Sequence, residues 1–301
     1  MFYYLIEPIL VYNWILVLAA VIPAVILMIK VYKSDHIEKE SPRLLRKLII
    51  AGILSTLIAM IEERIGQWIL SSFVKENTQL YNILLYFVVV AISEESSKYL
   101  MMKKYSWNSP DFNCQYDGVV YATFTSLGFA LWENINYVLS YGFSTAIVRA
   151  ITAIPGHACF GVFMGIFYGI AKKYYNINHN FLSGIFRFFS IFIPALLHGG
   201  YDYIATLQDT QKAWYFVPFV AVLFVVSSVL RLMIHNQKHL AGPVVPHWLL
   251  WRMQSAAYII PNIAKQAYLT IQGKPVLLNN INISKLPYPS AKIFLVRHRK
   301  L

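Results

Sequence analysis

Charge is scarce in this chain. Of its 301 residues only 13% are Asp, Glu, Lys or Arg, while 57% are hydrophobic; an ordinary soluble domain carries about a quarter charged residues. A water-soluble globular protein is thereby excluded, and the composition reads as that of a polytopic membrane protein. Cysteine is nearly missing as well. Cys114 falls in a predicted connection and Cys159 inside a predicted span, so a disulfide framework is not expected. The N-terminus has neither the basic stretch nor the small-residue cleavage pattern of a signal peptide, and its first apolar run is long enough to span, so it reads as a membrane helix. No Asp or Glu follows Asp209, no internal repeat or low-complexity tract stands out, and the run H-E-x-x-H does not occur.

The apolar runs centre near Ala20, Ser55, Val90, Gly128, Gly161, Leu196 and Ala221, which predicts about seven spans of roughly 20 residues each. The expected fold is all-α: a polytopic helical bundle over residues 1–235, with its motif core at 93–203, followed by a basic amphipathic tail over 236–301. Basic residues gather in alternate connections. Lys30, Lys33, Lys39, Arg43, Arg46 and Lys47 follow the first span, Lys103 and Lys104 the third, Lys172 and Lys173 the fifth, and Arg231 closes the seventh, whereas the other connections offer Lys75, Arg149 and Lys212. The positive-inside rule places the N-terminus outside and the C-terminus in the cytoplasm. In the tail, Lys238, Arg252, Lys265, Lys274, Lys285, Lys292, Arg297, Arg299 and Lys300 alternate with Trp248, Trp251, Tyr258 and Ile259. That pattern favours an interfacial segment on anionic lipid over a nucleic-acid site, and its six prolines argue against one long helix.

Ionisable residues at membrane depth persist mainly where they face one another around a site, and four of the spans carry them. On the third, Glu94 and Lys98 are i,i+4 neighbours and Glu95 and Lys98 i,i+3, so one lysine reaches both carboxylates; two adjacent carboxylates in a low dielectric titrate as a unit, an arrangement suited to activating water and returning its proton. A charged helix end is the plainer reading of the same residues. The fourth span carries Phe129, Glu133 and Asn134; the carboxylate and the amide together suggest a cavity wall, with the Asn134 amide free to donate to an oxyanion, where a lone Glu would more simply cap a loop. Asp117 reads as a helix N-cap. His157 heads a stripe through Gly161, Gly165 and Gly169, which is read as helix packing; Pro155 suits the first turn there, and Arg149 upstream is a lid or an anchor. On the sixth span His198, Tyr201 and Asp202 share one side: Asp202 would orient the imidazole through one nitrogen and leave the other for a reacting carbonyl, while Pro194 bends the helix. Glu62, Glu63 and Arg64 read as the outer end of the second span, without chemistry.

These residues resemble the PrsW family of intramembrane proteases, grouped with the CAAX-prenyl endopeptidases and bacteriocin-processing membrane proteases. The likeness runs from about Ser93 to Tyr203 and rests on four ordered motifs: Glu94-Glu95-Ser96-Ser97-Lys98, Gly128-Phe129 through Glu133-Asn134, Pro155-Gly156-His157-Ala158 through Gly161 and Met164-Gly165, and His198-Gly199-Gly200-Tyr201-Asp202. It implies a glutamic-type peptidase of the bacterial plasma membrane in which Glu94 and Glu95 activate water. His198 and Asp202 stand in the place of the wider family's oxyanion-stabilising motif, Glu133 stands where the CAAX peptidases have histidine, and His157 is a further polar residue. The implied substrate is a membrane-anchored regulator such as an anti-sigma factor. Two glutamates and two histidines would also hold zinc with an open position for water; without H-E-x-x-H, chemistry needing no cofactor is expected, and a zinc-dependent membrane peptidase is the alternative. A proton- or cation-coupled transporter is a second alternative, because membrane carboxylates and histidines also relay protons, but no inverted repeat supports it. Nothing in the sequence assigns an oligomeric state.

Overall fold

The computed structural model describes residues 2–34, 39–207 and 212–241 and three short strands beyond them. Up to residue 241 the regular elements among the described residues are all helical: α1 (Phe2–Ser34), α2 (Pro42–Phe73), α3 (Gln79–Leu84), a π-helical turn (Leu85–Val90) continuing into α4 (Ala91–Ser106), α5 (Gln115–Tyr141), α6 (Phe143–Ile151), α7 (Ala153–Asn176), α8 (Asn180–Thr206) and α9 (Lys212–Ala241). Six segments of the described chain are long and apolar enough to cross a membrane: Tyr12–Ser34, Pro42–Phe73, Gln79–Ser106, Phe143–Asn176, Asn180–Thr206 and Tyr215–Leu232. The expected fourth span, α5, is missing from that set although its 27 residues would reach about 40 Å. The reason is where it sits. Every residue from Tyr116 to Ala130 is buried, so this stretch of α5 meets protein rather than lipid and tolerates Thr, Ser and Tyr on its faces, while Trp132, Leu139 and Tyr141 beyond it are exposed.

Glycine explains how α5 can be central. A methyl group placed on Gly161 would lie 2.8 Å from Thr123 Cα, one on Gly165 would collide with Gly118 O and Val119 Cα, and one on Gly169 with the backbone of Gln115. The stripe on α7 thus lies flush against α5 over about two turns, and Gly52 and Gly128 bring α2 against α5 in the same manner. At the end of the bundle nearest Gly169, aromatic rings fill the space: Phe112 stacks on Tyr168 with centroids 5.1 Å apart, Trp107 lies 5.2 Å from Tyr168, and Lys172 Nζ donates to Trp107 O at 2.6 Å.

Two local expectations are refined. Asp117 is not the N-cap of α5; Cys114 is, and Asp117 caps from the third helical position by accepting from the backbone N–H of Cys114 at 2.7 Å and of Asn113 at 3.0 Å. Pro155 does stand in the first turn of α7, and Pro194 lies inside α8, which continues through it from Asn180 to Thr206. Past α9 the strands β1 (Ala267–Ile271), β2 (Lys274–Leu277) and β3 (Ala291–Leu295) form an antiparallel sheet in the order β2-β1-β3. The tail residues expected at a lipid surface, Trp248, Trp251 and Tyr258 among them, lie outside the described residues.

Candidate active site

The end of the bundle opposite Gly169 is hollow. A cavity of about 760 Å³ opens there, walled by α2, the π turn and α4, α5, α6, α7, α8 and the start of α9. The π turn helps to shape it. A π turn inserts a residue into the helical ladder and re-aims the side chains beyond it, and this one is gripped from two sides: a methyl on Gly199 of α8 would lie 2.8 Å from Phe87 Cα, and one on Gly66 of α2 would lie 2.7 Å from a Val89 methyl. Immediately after it, α4 presents Glu94 to the cavity and turns Glu95, fully buried, away from it.

Lys98 reaches both carboxylates, as the spacing predicts: its Nζ lies 3.0 Å from Glu94 Oε2 and 2.7 Å from Glu95 Oε1. It is wholly buried, which removes the reading of a helix-end charge reaching for water. The same ammonium meets His157 Nδ1 at 3.2 Å and sits 3.9 Å over the Phe129 ring. An ammonium has only donors, so His157 Nδ1 accepts and its proton is on Nε2, which donates to Glu133 Oε2 at 2.8 Å. Arg149, on α6, completes this chain with Nη2 3.1 Å from Glu133 Oε2; it is an anchor and lies over the Tyr137 ring at 4.0 Å.

On α8, His198 does not keep a nitrogen free for a carbonyl. Nδ1 faces Glu95 Oε1 at 3.0 Å and, more distantly, Glu94 Oε2 at 3.8 Å, while Nε2 faces Asp202 Oδ2 at 3.4 Å. Its ring is fixed by Phe160, stacked at 4.8 Å, and lies edge-on to His157 at 5.3 Å. Tyr201 lines the cavity beside Asp202.

Of the expected site residues, Glu94, Phe129, Glu133, Arg149, His157, His198, Tyr201 and Asp202 share the cavity wall, and Glu95 and Lys98 lie directly behind it. Asn134 does not join them. It is fully buried, its Nδ2 donates to Ala20 O at 2.8 Å and its Oδ1 accepts from Arg149 Nε at 2.8 Å. Both ends of the amide are engaged between helices, so it is a tie between α1, α5 and α6 rather than an oxyanion donor; Asn136, two residues on, lines the cavity instead. Gly161, Gly165 and Gly169 lie against α5, away from the cavity. Glu63 is the residue sequence reasoning passed over. It lies well short of the end of α2 at Phe73 and lines the cavity with Thr56, Ala59 and Met60; the helical spacing 56, 59, 60, 63 was the available signal.

Glu94, His157 and His198 each bring one potential ligand atom within 4.8 Å of the others. A carboxylate with two imidazoles is a donor set of catalytic zinc sites, so these residues fit such an ion. Lys98, already bonded to Glu94 and His157, would share them with it.

The model of the family described as PrsW family intramembrane metalloprotease matches residues 40–229. Among curated proteins, the chain is similar to Protease PrsW of Shouchella clausii (strain KSM-K16), 30% identical over 212 residues, 70% of this chain and 93% of that protein. It is similar to Protease PrsW of Clostridioides difficile (strain 630), 30% identical over 237 residues, 75% of this chain and 95% of that protein, and to Protease PrsW of Bacillus subtilis (strain 168), 29% identical over 206 residues, 68% and 89% respectively. No solved structure matches.

Proposed function

The chain belongs to the PrsW family of intramembrane proteases, and from that premise we propose that it cleaves a membrane-anchored protein with water activated by Glu94. The observation that carries this reading is the split between the paired glutamates: Glu94 faces the cavity, whereas Glu95 is sealed behind it against Lys98 and His198. Glu94 takes a proton from a water molecule as the water oxygen attacks the scissile carbonyl carbon, and returns that proton to the departing amide nitrogen as the C–N bond breaks. Glu95 is a positioning residue that holds the lysine and the imidazole. Among the polar contacts of His198, that from Nε2 to Asp202, at 3.4 Å, is long enough to exchange for the developing oxyanion. Glu133 and Arg149 fix His157 at the opposite wall. The substrate is a single-span regulator of the anti-sigma factor kind, as the resemblance implies, and the basic connections orient the enzyme with its N-terminus outside and C-terminus in the cytoplasm. The tail is assigned to anionic lipid.

A second reading is favoured by the cluster of Glu94, His157 and His198 and by the family's description as metalloproteases. These three side chains would hold a zinc ion, which when bound supplies a Lewis acid for water and carbonyl. In that case Glu95 and Lys98 keep Glu94 turned toward the ion, and Glu133 keeps the proton of His157 on Nε2. The Lys98 ammonium, which already supplies Glu94, Glu95 and His157 with a positive charge, favours the metal-free reading.

The test is cleavage of a membrane-inserted single-span reporter by the full-length protein in lipid nanodiscs. Glu94→Gln keeps the shape but not the basicity, and activity should fall by roughly a hundredfold or more with the thermal unfolding midpoint little changed. Glu95→Gln should lower activity and midpoint together, because breaking a buried ion pair costs about 3 kcal/mol or more. Full activity in Glu94→Gln overturns the glutamate mechanism. Persistent activity after exhaustive chelation excludes zinc; loss that zinc alone restores selects the second reading.

A further inference from the structure

Four carboxylates stand on the cavity wall, and three have partners within the chain. Glu94 is paired with Lys98 at 3.0 Å, Glu133 with Arg149 at 3.1 Å and His157 at 2.8 Å, and Asp202 faces His198 at 3.4 Å. Glu63 alone has no ion pair or hydrogen bond among the described residues, though it lines the same hollow. A carboxylate at membrane depth without a counter-charge is costly and is retained where something supplies one.

Its neighbour shows that the placement is particular. Glu62 and Glu63 are adjacent, so they project from different sides of α2, and only Glu63 meets the cavity. Depth gives a direction: Glu63 stands ten residues before Phe73 and Glu94 fifteen after Gln79, about 15 and 22 Å from the loop joining α2 to α3 at 1.5 Å per residue. Glu63 therefore lies nearer than Glu94 to that loop, which is at the hollow end of the bundle, taken as the mouth end of the cavity. Apolar and aromatic groups accompany it, Met60 and Trp132 among them, which suit the methylene stem of a long basic side chain.

We infer that Glu63 is a specificity-determining residue, the acidic floor of a subsite that takes a lysine or arginine of the substrate located between the scissile bond and the mouth end. The inference rests on the protease reading for what the cavity does, but the subsite itself requires only that a membrane-anchored segment binds there. Charge complementarity then sets register: a basic residue on Glu63 positions the backbone beyond it over Glu94, whereas an acidic residue finds no counter-charge there.

The experiment uses the full-length protein in lipid nanodiscs and single-span peptides that differ at one position, carrying Lys, Gln or Glu, with that position moved in single steps along the mouth-side half. Binding is read by energy transfer and cleavage by mass spectrometry in the same samples. At one position the Lys peptide should bind roughly tenfold or more tightly than the Glu peptide; this preference should collapse in Glu63→Gln, invert in Glu63→Lys and survive in Glu62→Gln. If Glu63→Lys fails to fold, the near-isosteric Glu63→Gln still decides. No charge preference in the unaltered protein, or an equal preference in Glu63→Gln, overturns the inference. Charge-dependent binding without any cleaved product leaves the subsite standing and sinks the protease reading instead.

Discussion

The two ends of α7 do opposite work with the same backbone. Toward Gly169, glycines let α7 and α5 touch, and the remaining space is filled by Tyr168, Phe112 and Trp107. Toward His157, the helices part around a cavity of about 760 Å³ whose wall carries acids, histidines and an arginine. The closed half has small residues where helices meet and polar groups that are bonded within it, such as Ser106 to Tyr168 at 2.9 Å and Tyr121 to Glu40 at 2.6 Å. The open half has charges whose bonds cross between helices, from α4 to α7 and α8 and from α5 to α6 and α7. Close packing lowers the freedom of the helix ends that hold those charges, so the closed half positions the open one.

The largest effect should come from wedging the closed half. Gly165→Leu would place a branched side chain where even a methyl meets the backbone of Gly118 and Val119. Overpacking of this kind destabilises by about 1–3 kcal/mol and sometimes more; here backbone must move, so folded yield, unfolding midpoint and reporter cleavage should all fall together. A stable, fully inserted Gly165→Leu protein that binds substrate poorly would break the comparison, since the stripe would then belong to the substrate path.

A smaller effect separates positioning from chemistry within the open half. Asn134→Ala removes the bonds to Ala20 O and Arg149, and losing a buried partner costs about 1–3 kcal/mol. The unfolding midpoint should drop, while reporter kcat falls less than roughly tenfold, since loss of an oxyanion donor would lower it by about 100- to 1000-fold. A drop of that size at unchanged stability would restore Asn134 to the reacting atoms.

What could be read in the sequence was what helical periodicity carries. Lys98 with Glu94 and Glu95, His198 with Asp202, and the stripe through Gly161, Gly165 and Gly169 are all spaced at three or four residues, so their shared faces come from one helix alone. Contacts between helices cannot be had from spacing. The bond from Glu95 to His198 spans 103 residues and that from Asn134 to Ala20 spans 114, and each reversed an expectation, the first by occupying the free imidazole nitrogen and the second by taking the amide out of the cavity. Hydropathy reports contact with lipid, which is why α5, enclosed by protein from Tyr116 to Ala130, falls short of the apolar composition of a lipid-facing span and is still the helix the others pack around. Glu63 was hidden by the same limit: adjacent acids with Arg64 look like a solvated helix end until the facing helices show where the cavity lies.

The smallest effect is expected outside the bundle. All the groups named in catalysis precede Tyr203, and among the described residues the strands β1, β2 and β3 pair only with one another. Deleting the residues beyond Gly242 should therefore leave turnover of a detergent-presented reporter within roughly twofold, equivalent to a barrier change of about 0.4 kcal/mol. In anionic vesicles the tail's basic residues would each contribute about 1 kcal/mol near the surface, so any loss should show there first, as a change in substrate choice that salt diminishes. A truncated protein that inserts with an unchanged unfolding midpoint yet no longer cuts would make the tail a third working region, and the contrast between a closed half that holds and an open half that reacts would no longer account for activity.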